Sequence, residues 1–200
     1  AENLFMRYGI KSITMDDIAK HMSISKKTIY QSFKDKNELV CLVTKEHFKR
    51  ERIEILSIIK NAKNSIEIIL EISRCLKSHI SGMNPSILYD LQKYHHMAWE
   101  EYEKFKNETV TSSLEETLRM GIEEGNFRED INPELLAILR TEHVQMAFNH
   151  QIFPNNKFNF MEVQEQFLGL FIHGILSQKG RKLFERYLNE ININNNSSNQ

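Results

Sequence analysis

Four helix-capping signals fall within the first 40 residues of this chain, and they leave little choice of fold there. Gly9 follows Arg7-Tyr8 after the apolar pair Leu4 and Phe5, and glycine suits the left-handed conformation that closes a helix. Thr14-Met15-Asp16-Asp17 sets a hydroxyl three residues before a carboxylate, the pattern of a capping box, and opens a second helix through Ile18 and Ala19. That helix stops near His21-Met22-Ser23. Ser25 caps a third over Lys26 to Phe33, and Asp35-Lys36-Asn37-Glu38 repeats the capping-box pattern to start a fourth. The first helix is expected to begin upstream of Ala1.

Two short helices separated by three or four residues, with Ala19 where backbones approach and Ile18, Ile24, Ile29 and Phe33 available for a small core, read as a helix-turn-helix. Ile29 and Phe33 take the apolar side of the third helix. Lys26, Lys27, Thr28, Tyr30 and Gln31 then face outward, and each can hydrogen-bond. Such a helix fits a DNA major groove with its N-terminal residues at the base edges. Charge agrees: residues 1–50 hold ten Lys and Arg against six acids, although the whole chain has a net charge of −1.

In order and spacing, Leu4-Phe5, Gly9-Ile10, Thr14 to Ala19, Ser25 to Tyr30, Phe33 and Lys36-Asn37-Glu38-Leu39 resemble the DNA-binding signature of the TetR family of bacterial transcriptional regulators. Ser23 departs from it, standing in the turn where the family commonly has glycine. The resemblance implies that Lys27, Thr28 and Gln31 meet bases and that Thr14, Tyr30 and Lys36 meet phosphates, with Lys26 suited to either. Thr14 and Lys36 stand at helix starts, where free amides and the dipole favour an anion.

Scarce Gly and Pro, ten in 200 residues, and long stretches rich in Glu, Lys, Leu and Ile extend the all-α reading to the rest. The expected division is a DNA-binding head over residues 1–46, a helical ligand-binding and dimerisation body over 47–188, and a disordered Asn- and Ser-rich tail over 189–200. The fourth helix should run toward Ile59, and a fifth, capped by Asn64 or Ser65, to about Ser81. Pro85 to Lys106 should be helical with a break near Tyr94 to Met97. Further helices are expected over about 107–124, from Pro133 to about His150, over 160–177 and over 181–188. Gly125 to Pro133 resembles the connection that precedes the last two long helices of TetR-type proteins.

The helix over 160–177 is apolar on nearly every side from Phe167 to Leu176, so two surfaces must cover it. A second copy of the chain is the expected partner, through Phe167, Leu170, Phe171, Gly174 and Ile175; TetR-type proteins are similar in pairing these helices as homodimers, which implies a palindromic operator. The resemblance also implies a cavity for a small, mainly apolar effector. Candidates to line it are His79, Leu88, Leu91, Tyr94, Trp99, Tyr102, Phe105, Met120, His143 and Met146.

Other classes find little support. Cys41 and Cys75 are too few for a disulfide framework and no segment has the form of a signal peptide, which points to the cytoplasm. The longest apolar run is interrupted by His173 and falls short of the ~20 residues of a membrane span. Phosphate-binding Gly-rich loops and Cys-x-x-Cys spacing are absent, and the His pairs 143/150 and His96/Glu100 arise readily by chance, so no metal, cofactor or enzymatic activity is expected. The expected partners are double-stranded DNA, a small-molecule effector and a second copy of the chain. A DNA-binding regulator without a ligand is the alternative, followed by a helical enzyme or scaffold that keeps the head.

Overall fold

A computed structural model of the chain describes residues 1–154 and 156–197, with side chains placed through Glu190. The described residues are all-α: α1 Glu2–Tyr8, α2 Met15–His21, α3 Lys26–Ser32, α4 Lys36–Asn61, α5 Ser65–Ile80, α6 Ile87–Tyr94, α7 His96–Phe105, α8 Ser112–Glu123, α9 Pro133–Met146, α10 Phe160–Ile175 and α11 Gln178–Ser197. A π-helical segment, Lys106–Thr111, lies between α7 and α8. None of the described helices is long and apolar enough to cross a membrane. The chain divides into two compact units, Ala1–Glu54 with Lys77–Thr109, and Ile55–Leu76 with Val110–Gln200.

The first unit closes around Phe5, Ile10, Met15, Ile18, Ala19, Ile29 and Val40 from the head, together with Ile87, Leu91 and Ala98 from α6 and α7. Burying an Ile, Leu or Phe contributes about 1.5–3 kcal/mol, so this shared core holds α6 and the head together in one body. Backbone and carboxylate bonds reinforce it. Asn84 N–H donates to the Met6 carbonyl at 2.7 Å, and Lys11 N–H donates to Asp90 Oδ2 at 2.9 Å. Ile24, expected in the core, is exposed: its amide closes the turn onto the Ala19 carbonyl at 3.0 Å, which leaves its side chain outside.

The second unit packs Ile66, Ile69 and Leu70 of α5 against Leu118, Ala137, Phe171, Ile172, Ile175 and Phe184. Phe127 is buried here, laid over Gly121, where a methyl group would come within 2.8 Å of its Cγ. Glu124 ties this unit together by accepting from Ser65 N at 3.0 Å, Ser65 Oγ at 2.6 Å and Asn126 Nδ2 at 2.7 Å.

Four helix ends differ from expectation. Between Phe105 and Ser112 the helix widens instead of ending, and both Lys106 and Thr109 are buried on the widened turn. α9 stops at Met146 because Phe148 and Asn149 turn to carbonyls three residues back, at 3.1 and 2.9 Å. α10 stops at Ile175 because Leu176 turns extended and forms a short bridge with Phe127, with Arg128 N–H on the Ile175 carbonyl and Ser177 N–H on the Asn126 carbonyl, both 2.9 Å. α11 then starts at once, since Ser177 Oγ accepts from Gly180 N–H at 3.0 Å, and it reaches Ser197, well past Leu188. Leu183, Tyr187 and Ile191 recur every four residues, so helical spacing continues into the segment read as a tail. Residues 198–200 of that segment lie outside the described residues.

Candidate nucleic-acid interface

Every head boundary is capped by the residue expected. Gly9 sits at φ +80° with its N–H on the Phe5 carbonyl. Thr14 and Asp17 form the full capping box: Asp17 N–H donates to Thr14 Oγ1 at 3.1 Å, and Asp17 Oδ2 accepts Thr14 N–H at 2.9 Å and the Thr14 hydroxyl at 2.6 Å. Those bonds hold the Asp17 carboxyl below the usual carboxylate range. Ser25 caps α3 by accepting Thr28 N–H at 3.1 Å. At the start of α4, Asp35 Oδ1 accepts Glu38 N–H at 3.0 Å, while the Glu38 carboxylate reaches one residue further back, to Lys34 N–H at 2.6 Å.

The turn between α2 and α3 places Ser23 at φ +55°, the region that favours glycine. The departure noted at Ser23 is thus a non-glycine residue held in a left-handed turn, closed by its own N–H on the Lys20 carbonyl at 3.1 Å.

On α3, Ile29 is buried and Phe33 half-buried, and they orient the helix. Lys26, Lys27, Thr28, Tyr30 and Gln31 are all exposed on the outer side. Lys26 is not a free cation. It pairs with Asp16 of α2 at 2.8 Å and lies 5.9 Å from the centre of the Tyr30 ring. Thr28 Oγ1 lies 2.8 Å from Ser25 Oγ. Lys36 is drawn inward, its ammonium donating to the Ile10 carbonyl at 2.6 Å, and burial lowers its pKa against the nearby Asp90 and Asp17 charges. Sequence reading missed this role for Lys36. It also missed Asp90, only 4% exposed, and His95, whose Nδ1 lies 2.7 Å from Asn37 Oδ1; both brace the head from α6 and the turn that follows it. An acid between Ile87 and Leu91, on the apolar face of α6, was the available signal for Asp90.

The residues named for a ligand do not form one group. Leu91 is buried in the first unit's core, with Leu88 and Trp99 packed against it. His79 Nδ1 lies 2.7 Å from Glu51 and its Nε2 3.3 Å from Glu54. Tyr94 is exposed beside Lys93 and Lys11. Trp99, Tyr102 and Phe105 form an aromatic row completed by Phe48 of α4, which stacks on Phe105 at 4.7 Å and which sequence reading omitted. Met120, His143 and Met146 belong to the second unit, where His143 stacks on Phe167 at 4.7 Å and Met146 is exposed. An open groove of about 770 Å³ lined by Phe127, Arg128, Leu176 and Arg181 contains none of these candidates.

Of the residues named for dimerisation, Phe171 and Ile175 turn inward into the second unit's core, at 8% and 2% exposure. They sit one turn apart in that buried core, which leaves little of either side chain for a partner to cover. Leu170, 72% exposed, and Gly174 face solvent, and Phe167 is half-buried against His143.

A capped helix-turn-helix, seated on a core it shares with α6 and α7, is the geometry of a DNA-binding head. Residues 1–41 match the family described as bacterial regulatory proteins, tetR family. Over 171 residues, 84% of this chain and 88% of the other, the sequence is 25% identical to the uncharacterized HTH-type transcriptional regulator YvaF of Bacillus subtilis (strain 168). The fold is similar to that of reduced NemR of E. coli, with TM-score 0.72 and 17% identity over 88% of this chain and 93% of that one. It is also similar to a putative transcriptional regulator from Saccharomonospora viridis in complex with choline, with TM-score 0.70 and 14% identity over 88% and 94%. Residues 1–41 thus match the DNA-binding region of the tetR family, and the chain as a whole has the all-helical fold of these solved transcriptional regulators.

Proposed function

We propose that the chain is a homodimeric repressor that places α3 of each protomer in the major groove of a palindromic operator and is released by a small molecule, mainly apolar, held in the helical body. The observation that carries the DNA reading is the outer side of α3, where every exposed side chain from Lys26 to Gln31 can hydrogen-bond while Ile29 fixes the helix from beneath. Lys27, Thr28 and Gln31 are the base-reading residues on this view. Thr14, Tyr30 and Lys36 meet phosphate, Lys36 by turning an N–H outward from the Ile10 carbonyl, and Lys26 joins them once phosphate replaces Asp16 as its partner.

The exposed Leu170 and the open space around Gly169 and Gly174 support a second copy against α10. Two-fold pairing would space the reading helices about 34–36 Å apart. The choline held by the Saccharomonospora viridis regulator supports a small-molecule role for a body of this fold.

Selection of bound sequences from a random DNA library, with the full chain at stated salt, tests the reading. A recovered palindrome whose binding falls in Lys27→Ala or Thr28→Ala is the expected result. Weak binding without sequence preference overturns it.

A further inference from the structure

We propose that α9 and α10 hold an anion-binding site, centred on Arg140, for a small amphipathic carboxylate. The proposal deepens the ligand-responsive reading above and rests on it for any effect on DNA. It starts from a buried guanidinium nitrogen that no acceptor among the described residues answers. Arg140 is 7% exposed, and its Nη1 meets no hydrogen-bond acceptor. Loss of water lowers its pKa to about 10, so the guanidinium is still a cation at neutral pH. Buried cations in native proteins are almost always answered by an anion or acceptor, because the desolvation cost is otherwise uncompensated.

Two more orphaned atoms lie on the same pair of helices. His143, one turn on from Arg140, has a buried Nδ1 without a partner, and Gln164 of α10, 6% exposed, has an Oε1 that receives no donor. Gln164 is anchored through its other end, Nε2 donating to the Val144 carbonyl at 2.9 Å. The His143 ring is stacked on Phe167 at 4.7 Å and 15°. These two contacts pack α10 against the stretch of α9 around His143 and Val144, and Arg140, one turn earlier on α9, is close enough for its charge to act on His143. Three unsatisfied groups gathered on one helix pair are a binding demand that the chain does not itself meet.

Their chemistry selects the ligand. Burial, and then the Arg140 charge, lower the His143 pKa, so the site carries a single fixed positive charge at neutral pH. One carboxylate balances it, whereas a cation is repelled and a neutral hydrocarbon leaves all three atoms unpaired. Gln164 Oε1 calls for a hydroxyl or N–H on the same molecule, and Phe167 with Phe153, 5.7 Å away and edge-on, offers the ligand's apolar part a surface.

The test uses the purified full chain in its native oligomeric state. Linear carboxylates from acetate to decanoate, benzoate and their 2-hydroxy derivatives are each compared with the matching primary amide, and inorganic phosphate is a further arm. Calorimetric titration and thermal midpoints are the readouts. At least one carboxylate should raise the midpoint and bind about tenfold or more tightly than its amide, as a charge-assisted contact requires. Arg140→Met should abolish that preference and raise the midpoint of the ligand-free chain, because it removes an unpaired buried charge. His143→Phe, which keeps the stack on Phe167, should weaken carboxylate binding without lowering the ligand-free midpoint. The proposal is overturned if no carboxylate is preferred to its amide, if phosphate binds better than all of them, or if both variants melt below the parent without ligand. A carboxylate that binds through Arg140 but leaves operator affinity unchanged would uphold this site and refute the effector role.

Discussion

Asp90→Ala should loosen the head from α6, and the structure sets the size of the effect. Asp90 is buried at 4% exposure, accepts Lys11 N–H at 2.9 Å, and stands within the field of the half-buried Lys36 ammonium. A hydrogen bond to a charged group contributes about 1.5–3 kcal/mol net, and an amide left unsatisfied in a buried site costs about 1–3 kcal/mol. The two figures describe overlapping parts of one loss, so the combined cost is about 2–4 kcal/mol. In a chain of 200 residues that lowers the melting midpoint by roughly 4–16 °C. Urea unfolding followed by circular dichroism, at matched protomer concentration, measures the loss, and hydrogen exchange at the Lys11 amide reports whether it arises at that bond. Asp90→Asn keeps an acceptor and should lose less than half as much. A change under about 0.5 kcal/mol in Asp90→Ala, with the Lys11 amide still protected, would refute the argument, because surface substitutions alone give effects that small.

Gly180→Ala places a methyl within 2.8 Å of the Asn126 carbonyl carbon, backbone that cannot swing aside, and should cost at least about 2 kcal/mol in urea unfolding. Gly169→Ala meets nothing within 4 Å in its own chain and should cost less than Gly180→Ala, so equal midpoints for the two variants would count against the packing described. His95 is held below the ordinary histidine value of 6.5 by burial and by the Lys36 charge. As pH falls below that value the unfolded chain takes up the proton first, so the contribution is present above about pH 6.5 and is lost on acidification, at no more than about 1.4 kcal/mol per pH unit. Unfolding free energies measured between pH 7.5 and 5 should decline less steeply in His95→Gln, and an unchanged slope would show that His95 does not titrate as described.

The head was legible because its information is local. Gly9, Thr14, Asp17 and Ser25 act on backbone groups three or four residues away, and a capping pattern in sequence is nearly the capping geometry itself. Lys36 was less legible for the opposite reason. Its position at a helix start suits a phosphate, but its ammonium is claimed by a carbonyl 26 residues earlier in the chain. The division between α10 and α11 was read to within three residues, but its cause was not, because nothing between Phe160 and Leu188 announces that Phe127 will pair with Leu176. Phe171 and Ile175 show the limit of a pattern that is apolar all round, since such a helix states that two surfaces cover it without stating which residues face which. Arg140 and Gln164 were invisible for a simpler reason. A polar residue within an amphipathic stretch reads as solvated until its burial is known.

The bonds that hold the head explain how small a perturbation could switch it on the proposed reading. α3 is positioned by Ser25 and by Ile29, both local to the motif, whereas the end of α1 and the loop before α2 are tied to the region around α6 through Met6 with Asn84 and Lys11 with Asp90. His95 and Asn37 extend the same brace to the start of α4. A displacement of α6 would therefore act first on the frame that carries α2 and α3, not on the reading side chains themselves. The cost of breaking the Asp90 bond is the same size as the coupling that regulates most allosteric proteins, about 1–3 kcal/mol, which changes affinity roughly 5- to 150-fold. A ligand that favours the conformation with this one bond broken has enough differential energy to empty an operator, and one that binds both conformations equally has none, however tightly it binds.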